Sequence, residues 1–309
     1  MNLALVPLFN ILLISALSPL VVGVIRKLKA RMQSREGASV FQPYRNLVKL
    51  FHKDETVSED ASWVFLAAPY IIFGTTLALA AGVPLIGAFA GFPTGDIIVF
   101  AYLLAAGTFF LALGGIDTGG GFGGFGASRE MMIASLTEGG LILSLVGTAF
   151  LAGTTDLAGI ALGIQHVPLS GLTPVVLAAT AFFLALLAEN TRYPVDNPAT
   201  HLELTMVHEA MILEYSGKRL ALLEWAAANK LLIFITVFVN IFAPWMLPVS
   251  FAAGAIFAGL AVFFLKMLAV AGAIAFIEST MAKFRIFRVP DFVITSFVLS
   301  VIAILIVVV

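Results

Sequence analysis

Two ionisable side chains, Glu138 and Lys266, stand inside long apolar runs. Glu138 is about ten residues into its run, which at helical rise is ~15 Å deep and near the middle of a bilayer. Lys266 lies about midway along another run. A charge at that depth is costly, turns toward the protein interior, and marks either an ion pathway or an ion pair that fixes helix packing. Their similar depth on different helices predicts that the two face one interior polar region and interact directly or through water. Glu278 follows Lys266 by twelve residues, ~18 Å and about 120° round a helix, so it is excluded as the direct partner. Other carboxylates lead toward Glu138. Glu130 begins the same run, and Glu189 ends another. Glu203 and Glu214 share one face of a helix predicted over 199–216, and Glu209 lies off that face. Groups that can be reprotonated or hydrated in turn suit a proton or sodium path. Glu130, Glu138, Glu189, Glu203, Glu209, Glu214, Lys266 and Glu278 are the candidate ion-path residues.

The remaining chemistry is narrower. His52, His201 and His208 fall in polar segments on one side and His166 on the other, so a haem held between membrane histidines is unsupported. His201 and His208 are seven apart on one helix face, a polar surface meeting a partner or a proton-handling pair; the spacing of a zinc-protease helix is absent. Gly121 to Gly126 matches G-x-G-x-x-G, but no strand precedes it. It reads as a flexible or tightly packed turn that lets helices or a partner approach closely. The chain has no cysteine, which excludes disulfides, iron–sulfur clusters and zinc-thiolate sites on it. A redox cofactor bound through cysteine would belong to a partner.

These residues must be positioned by membrane helices. The chain is 61% hydrophobic and 11% charged, with a mean hydropathy of +1.06. Apolar runs long enough to cross a bilayer are predicted near 2–25, 63–90, 96–115, 128–152, 170–190, 223–246, 250–279 and 291–309. The expected fold is an all-α integral membrane protein of about eight spans in a single domain, 1–309. Its loops alternate in charge. Those near 26–62, 116–128, 190–221 and 281–290 hold or adjoin most of the Lys and Arg, whereas those near 91–95, 153–169 and 247–249 have none. That asymmetry predicts a cytoplasmic basic side with both termini outside. The first span is too long for a cleaved signal peptide and lacks a small-residue cleavage site. Within 26–62, Leu47, Leu50 and Phe51 fall on one helical face, which predicts a short interfacial helix, with a solvated loop as the alternative. A net charge of −1 gives no case for nucleic acid.

Several motifs together resemble the subunit 1 family of respiratory complex I. Ser34–Lys53 (SREGASVFQPYRNLVKLFHK) resembles its first cytoplasmic loop. Glu189–Asp196 (ENTRYPVD) and Glu214–Gly217 (EYSG) resemble two further motifs, and Arg129 and Glu138 keep a nine-residue spacing found there. Gly114–Gly119 (GGIDTG) and Gly126–Glu130 (GASRE) resemble instead the membrane-anchor branch of group 4 energy-converting hydrogenases, including formate hydrogenlyase and hydrogenase-4-type complexes. The loop between Asp196 and Glu214 is three residues longer than is usual in complex I. Of three glutamates expected after the Asp, only Glu203 matches; Ala199 and His201 stand at the others.

The resemblance implies a prokaryotic inner-membrane subunit without a cofactor of its own, with nickel–iron and iron–sulfur centres on partners. The implied partners are soluble hydrogenase large and small subunits and antiporter-like membrane subunits. Arg35, Gln42, Pro43, Arg45, Lys49, Asp117, Arg129, Arg192, Asp196 and Tyr215 are the candidate docking residues, with Phe41, Tyr44, Tyr193 and Tyr215 as aromatic anchors. The acidic row would couple electron transfer to H+ or Na+ movement. The altered loop disfavours the alternative of a quinone-site subunit. An independent secondary transporter, the other alternative, lacks a visible internal repeat.

Overall fold

The computed structural model describes residues 5–88, 95–168, 171–197, 206–249 and 252–308. Among these, eight helices are long and apolar enough to cross a membrane. They are α1 (Val6–Met32), α3 (Trp63–Gly82), α4 (Ile97–Asp117), α5 (Gly121–Ala152), α7 (Leu172–Glu189), α9 (Gly217–Ile241), α10 (Ala253–Thr280) and α11 (Val289–Val308), the last entered through a 3-10 turn at Ile286–Arg288. Three short helices lie between them: α2 (Gln42–Phe51), α6 (Leu157–Gln165) and α8 (His208–Ile212). A spanning helix satisfies its own backbone, so runs of this length have no other stable form in hydrocarbon.

The spans alternate, and the described basic loops gather at one end, called here the charged end. α9 is the most buried span, while α10 and α11 present broad apolar faces outward. Short polar ties and small residues join the helices, as is usual where burial from water cannot drive association. Asn229 on α9 donates to Thr76 on α3 (3.3 Å) and accepts from Ser18 on α1 (2.6 Å). Ser300 on α11 donates to the Gly140 carbonyl of α5 (2.9 Å), and a Cβ at Gly140 would stand 2.6 Å from Ser296 Oγ.

Three expectations are corrected. α5 starts at Gly121, so the loop expected over 116–128 shrinks to a short connection, and the glycine-rich motif is the helix's first turns rather than a turn between elements. Segment 153–169 is not a plain loop. It contains α6, capped by Asp156 Oδ2 accepting from Gly159 N (2.8 Å) and packed by Leu157, Ile160 and Ile164 into the core. The helix expected over 199–216 is, among the described residues, only α8. Glu203 and His201 lie outside the described residues. Glu214 falls after α8 and is exposed, because Tyr215 is pulled inward and ends the helix. The short helix expected near Leu47 is present as α2, with Leu47 buried.

Candidate functional site

A cavity of about 180 Å³ lies between the charged end and the bundle interior. Pro19, Val22 and Arg26 of α1, Pro43 and Asn46 of α2, Thr76 of α3, Leu104 of α4, Glu130 of α5, Glu189 of α7, His208 and Glu209 of α8, and Glu224 and Lys230 of α9 all border it. One stretch is apolar, formed by Ile72, Leu79, Leu103, Leu104 and Leu111; the other is charged.

Glu189 is the last residue of α7, where the helix dipole disfavours a negative charge. Lys230 answers it from α9, its Nζ donating to Glu189 Oε1 at 2.8 Å, with the carboxylate almost wholly buried. Lys230 was not singled out in the sequence. Its signal was the same as that of Lys266, a lone cation inside an apolar run. Glu130 is 5% exposed, and among the described residues its Oε2 has no hydrogen-bond partner. Lys230, Glu189 and Asp196 are the charges that act on it. Glu189 and Lys230 are also the charges that act on Glu138. The structure therefore places Glu130, Glu189 and Lys230 on one cavity, with Glu138 off its wall but within electrostatic reach of the pair.

Lys266 is not part of that group. Its Nζ donates to the carbonyls of Ala243 (2.6 Å) and Trp245 (2.7 Å), just past the end of α9 and toward the other face of the membrane. A flexible lysine reaches for the nearest free carbonyls at a helix C-terminus, where the dipole favours a cation. The expected meeting of Lys266 and Glu138 is thus overturned.

Past α7 the chain turns sharply. Thr191 adopts a positive φ of 48°, and the Arg192 amide closes on the Leu187 carbonyl at 2.8 Å. A β-branched residue there costs about 1–2 kcal/mol, so surrounding contacts must hold it. Arg192 Nη1 donates to Glu278 Oε1 (3.1 Å), and Lys29 Nζ donates to Glu278 Oε2 (3.0 Å) while lying 4.7 Å over the Tyr193 ring. Glu278 thus clamps α1, α10 and the turn. Asp196 pairs with Lys283 and accepts from the Val207 amide at 3.3 Å. Arg129 Nη1 donates to the Met206 carbonyl at 3.0 Å. The loop wall is fixed by charge rather than left to solvent.

His208 borders the cavity instead of forming an outward polar surface. Removal from water, with the Lys230 ammonium nearby, lowers its pKa to about 4, so the ring is neutral at pH 7. Asp117 accepts from the amides of Ser62 (2.7 Å) and Phe65 (3.2 Å) and from the Ser62 hydroxyl (2.6 Å), so it caps α3. Tyr215 is 4% exposed and stacks on Phe65 at 4.0 Å, its hydroxyl donating to the Phe65 carbonyl. Burial and the Asp117 carboxylate keep its phenol pKa above the ordinary value. The expectation that Tyr215 anchors a partner is corrected: it is an internal anchor. Phe41, Arg35, Arg45 and Lys49 remain exposed at the charged end, whereas Gln42 bonds Asn46 within α2 (2.9 Å) and Pro43 borders the cavity. Tyr44 is partly buried and donates to the Ala16 carbonyl. The glycines explain how α8 fits. A Cβ at Gly126 would stand 2.8 Å from the Val207 carbonyl, and one at Gly123 would overlap the Gly115 carbonyl.

Comparison with known proteins matches residues 4–309 to the NADH dehydrogenase family. Formate hydrogenlyase subunit 4 of Escherichia coli (strain K12) is 34% identical over 285 residues, 92% of this chain and 92% of that protein. Hydrogenase-4 component C of the same organism is 36% identical over 272 residues, 87% of this chain and 84% of that protein. A chain in the structure of the membrane-bound sulfane sulfur reductase, an archaeal respiratory membrane complex, superposes with a TM-score of 0.84 at 23% identity, covering 99% of this chain and 100% of that one.

Proposed function

The chain belongs to the NADH dehydrogenase family, and from that premise we propose that it is the membrane subunit of a hydrogenase-type assembly related to complex I. Its charged end docks a soluble redox module formed by hydrogenase large and small subunits, which carry the nickel–iron and iron–sulfur centres. Antiporter-like membrane subunits adjoin it in the bilayer. It sits in a prokaryotic cytoplasmic membrane with the charged end inside and both termini outside.

The observation that carries this reading is the buried Glu130 and the Glu189–Lys230 pair on one cavity beside the charged-end loops, with the half-buried Glu138 further along α5 within their electrostatic reach. A change of charge at a docked redox centre would alter proton occupancy along that row, since electrostatic effects are large where water is scarce. Glu203 and Glu214 would continue it toward the docked module. The apolar stretch of the same cavity favours one second reading, a quinone bound there; reduction of a soluble quinone analogue by the purified complex would decide for it.

The test is the purified complex in vesicles holding a pH-sensitive dye, with and without sodium, reading ions moved per electron transferred. Replacing Glu138 by Gln keeps its size and removes its proton affinity. The ratio should fall by about ten-fold or more while the complex still assembles. A wild-type ratio in the assembled Glu138→Gln complex would remove Glu138 from the path.

A further inference from the structure

Lys230 is the one group that acts on each of the three inner carboxylates, hydrogen-bonding Glu189 and lying within electrostatic reach of Glu130 and Glu138. It faces the same cavity as Glu130 and Glu189. Of the other described cations on the cavity wall, Arg192 is held by Glu278, and Arg26 is acted on by Glu224, Glu209 and Glu278 with Arg192 opposing them. His208 is neutral at pH 7, and Asp196 is held by Lys283. Among the described residues, Glu189 is the only hydrogen-bond partner of the Lys230 ammonium, which carries three N–H donors. Glu130 Oε2 is buried with no hydrogen-bond partner among the described residues, and Glu130 and Lys230 border the same cavity.

We propose that Lys230 is a positioning residue with two stations: its ammonium moves across the cavity between Glu189 and Glu130 and so sets which of them carries a proton. This rests on the proposed ion path and assigns it a moving part. A buried carboxylate that loses its cation takes up a proton, because an uncompensated charge in that setting is expensive. With the ammonium on Glu189, Glu130 holds a proton. When Lys230 swings to Glu130, that proton leaves Glu130 toward Glu138 and Glu189 accepts one from the charged-end side. Glu138 releases a proton toward the opposite side in the same exchange, so one proton enters as one leaves and the charge of the trio and its lysine is unchanged. The flexible four-carbon stem of lysine gives the ammonium the freedom such a move requires.

The same vesicle assay tests this with two variants. Lys230→Arg keeps the cation for Glu189 but replaces a compact ammonium by a planar fork. Glu130→Gln removes the second station at nearly constant volume. A fall of the ion-to-electron ratio to a tenth or less in Lys230→Arg and Glu130→Gln complexes is the expected result. A fixed structural pair between Lys230 and Glu189 would leave the ratio unchanged in Lys230→Arg, whereas Glu130→Gln lowers it wherever Glu130 lies on the path. An unchanged ratio in either assembled variant overturns the two-station proposal, and a fall in Lys230→Arg, in which every carboxylate of the path is intact, supports it. Absence of ion movement in the wild-type complex would instead overturn the proposed function itself, so the two failures are told apart.

Discussion

Glu189, Glu278 and Asp196 are each almost wholly buried, and each is met by a cation from a distant part of the chain: Lys230, Lys29 with Arg192, and Lys283. Desolvating such carboxylates is expensive unless a partner compensates, and each ties a different pair of segments. His208 follows the opposite rule. It is kept neutral by burial and by Lys230, with a pKa of about 4 against an ordinary 6.5. Between those values the unfolded chain binds a proton that the folded chain refuses, so stability should fall as pH drops from about 6.5 to about 4 and be flat above. The full swing is of order 3 kcal/mol. Thermal unfolding of the purified complex across that range, compared with His208→Asn, checks it: the variant's curve should be flatter, and an identical pH dependence would show that His208 titrates freely. At this scale the sequence was half legible. Depth along an apolar run marked Glu138 and Lys266, but depth says nothing of azimuth or of how far a lysine stem reaches. Lys266 therefore went to the carbonyls past α9, while Lys230, equally deep in its run, took the central place.

Helix α2 shows what spacing can and cannot determine for an element. Leu47, Leu50 and Phe51 announced its inward face, and Leu47 is indeed buried while Phe51 meets Trp225 edge-on at 6.2 Å. Its outward face keeps Arg45, Val48 and Lys49 exposed, between Arg35 in the preceding segment and Lys53 just past its end, both also exposed. That basic and apolar face is where the proposed soluble module would dock. Replacing Arg35 and Arg45 together by Ala should release the soluble subunits from detergent-purified complex, read by the composition of the tagged preparation. A complex that stays intact and active would contradict this docking face. The loop after Asp196 was less legible. A helix-forming composition over 199–216 is cut short on its C-terminal side by the pull of Phe65 on Tyr215, and α8 is seated by glycines of α4 and α5 that lie far away in sequence. Such tertiary contacts leave no local signature. α6 escaped notice for a related reason: nine residues rise only about 14 Å, too short for the length criterion that found the spans.

Over the whole molecule, eight spans could be read because length and apolarity are set by the bilayer rather than by neighbours, and every expected span has its helix. Orientation rests on the alternation of basic connections with ones that hold no Lys or Arg. Thr154→Cys in intact cells should react with an impermeant thiol reagent added outside, and Lys53→Cys should react only after the membrane is opened; the reverse pattern would invert the assignment. The apolar outward faces of α10 and α11, and the cavity at the charged end, suit the proposed place of the chain in a multisubunit membrane complex. The most direct test is to purify the tagged chain from its own membranes in mild detergent, identify what comes with it, and assay the preparation. Hydrogenase-type soluble subunits and antiporter-like membrane chains in fixed ratio, with hydrogenase activity that disappears when the soluble part is stripped off, are the expected result. A chain that purifies alone and moves ions by itself in vesicles would contradict it.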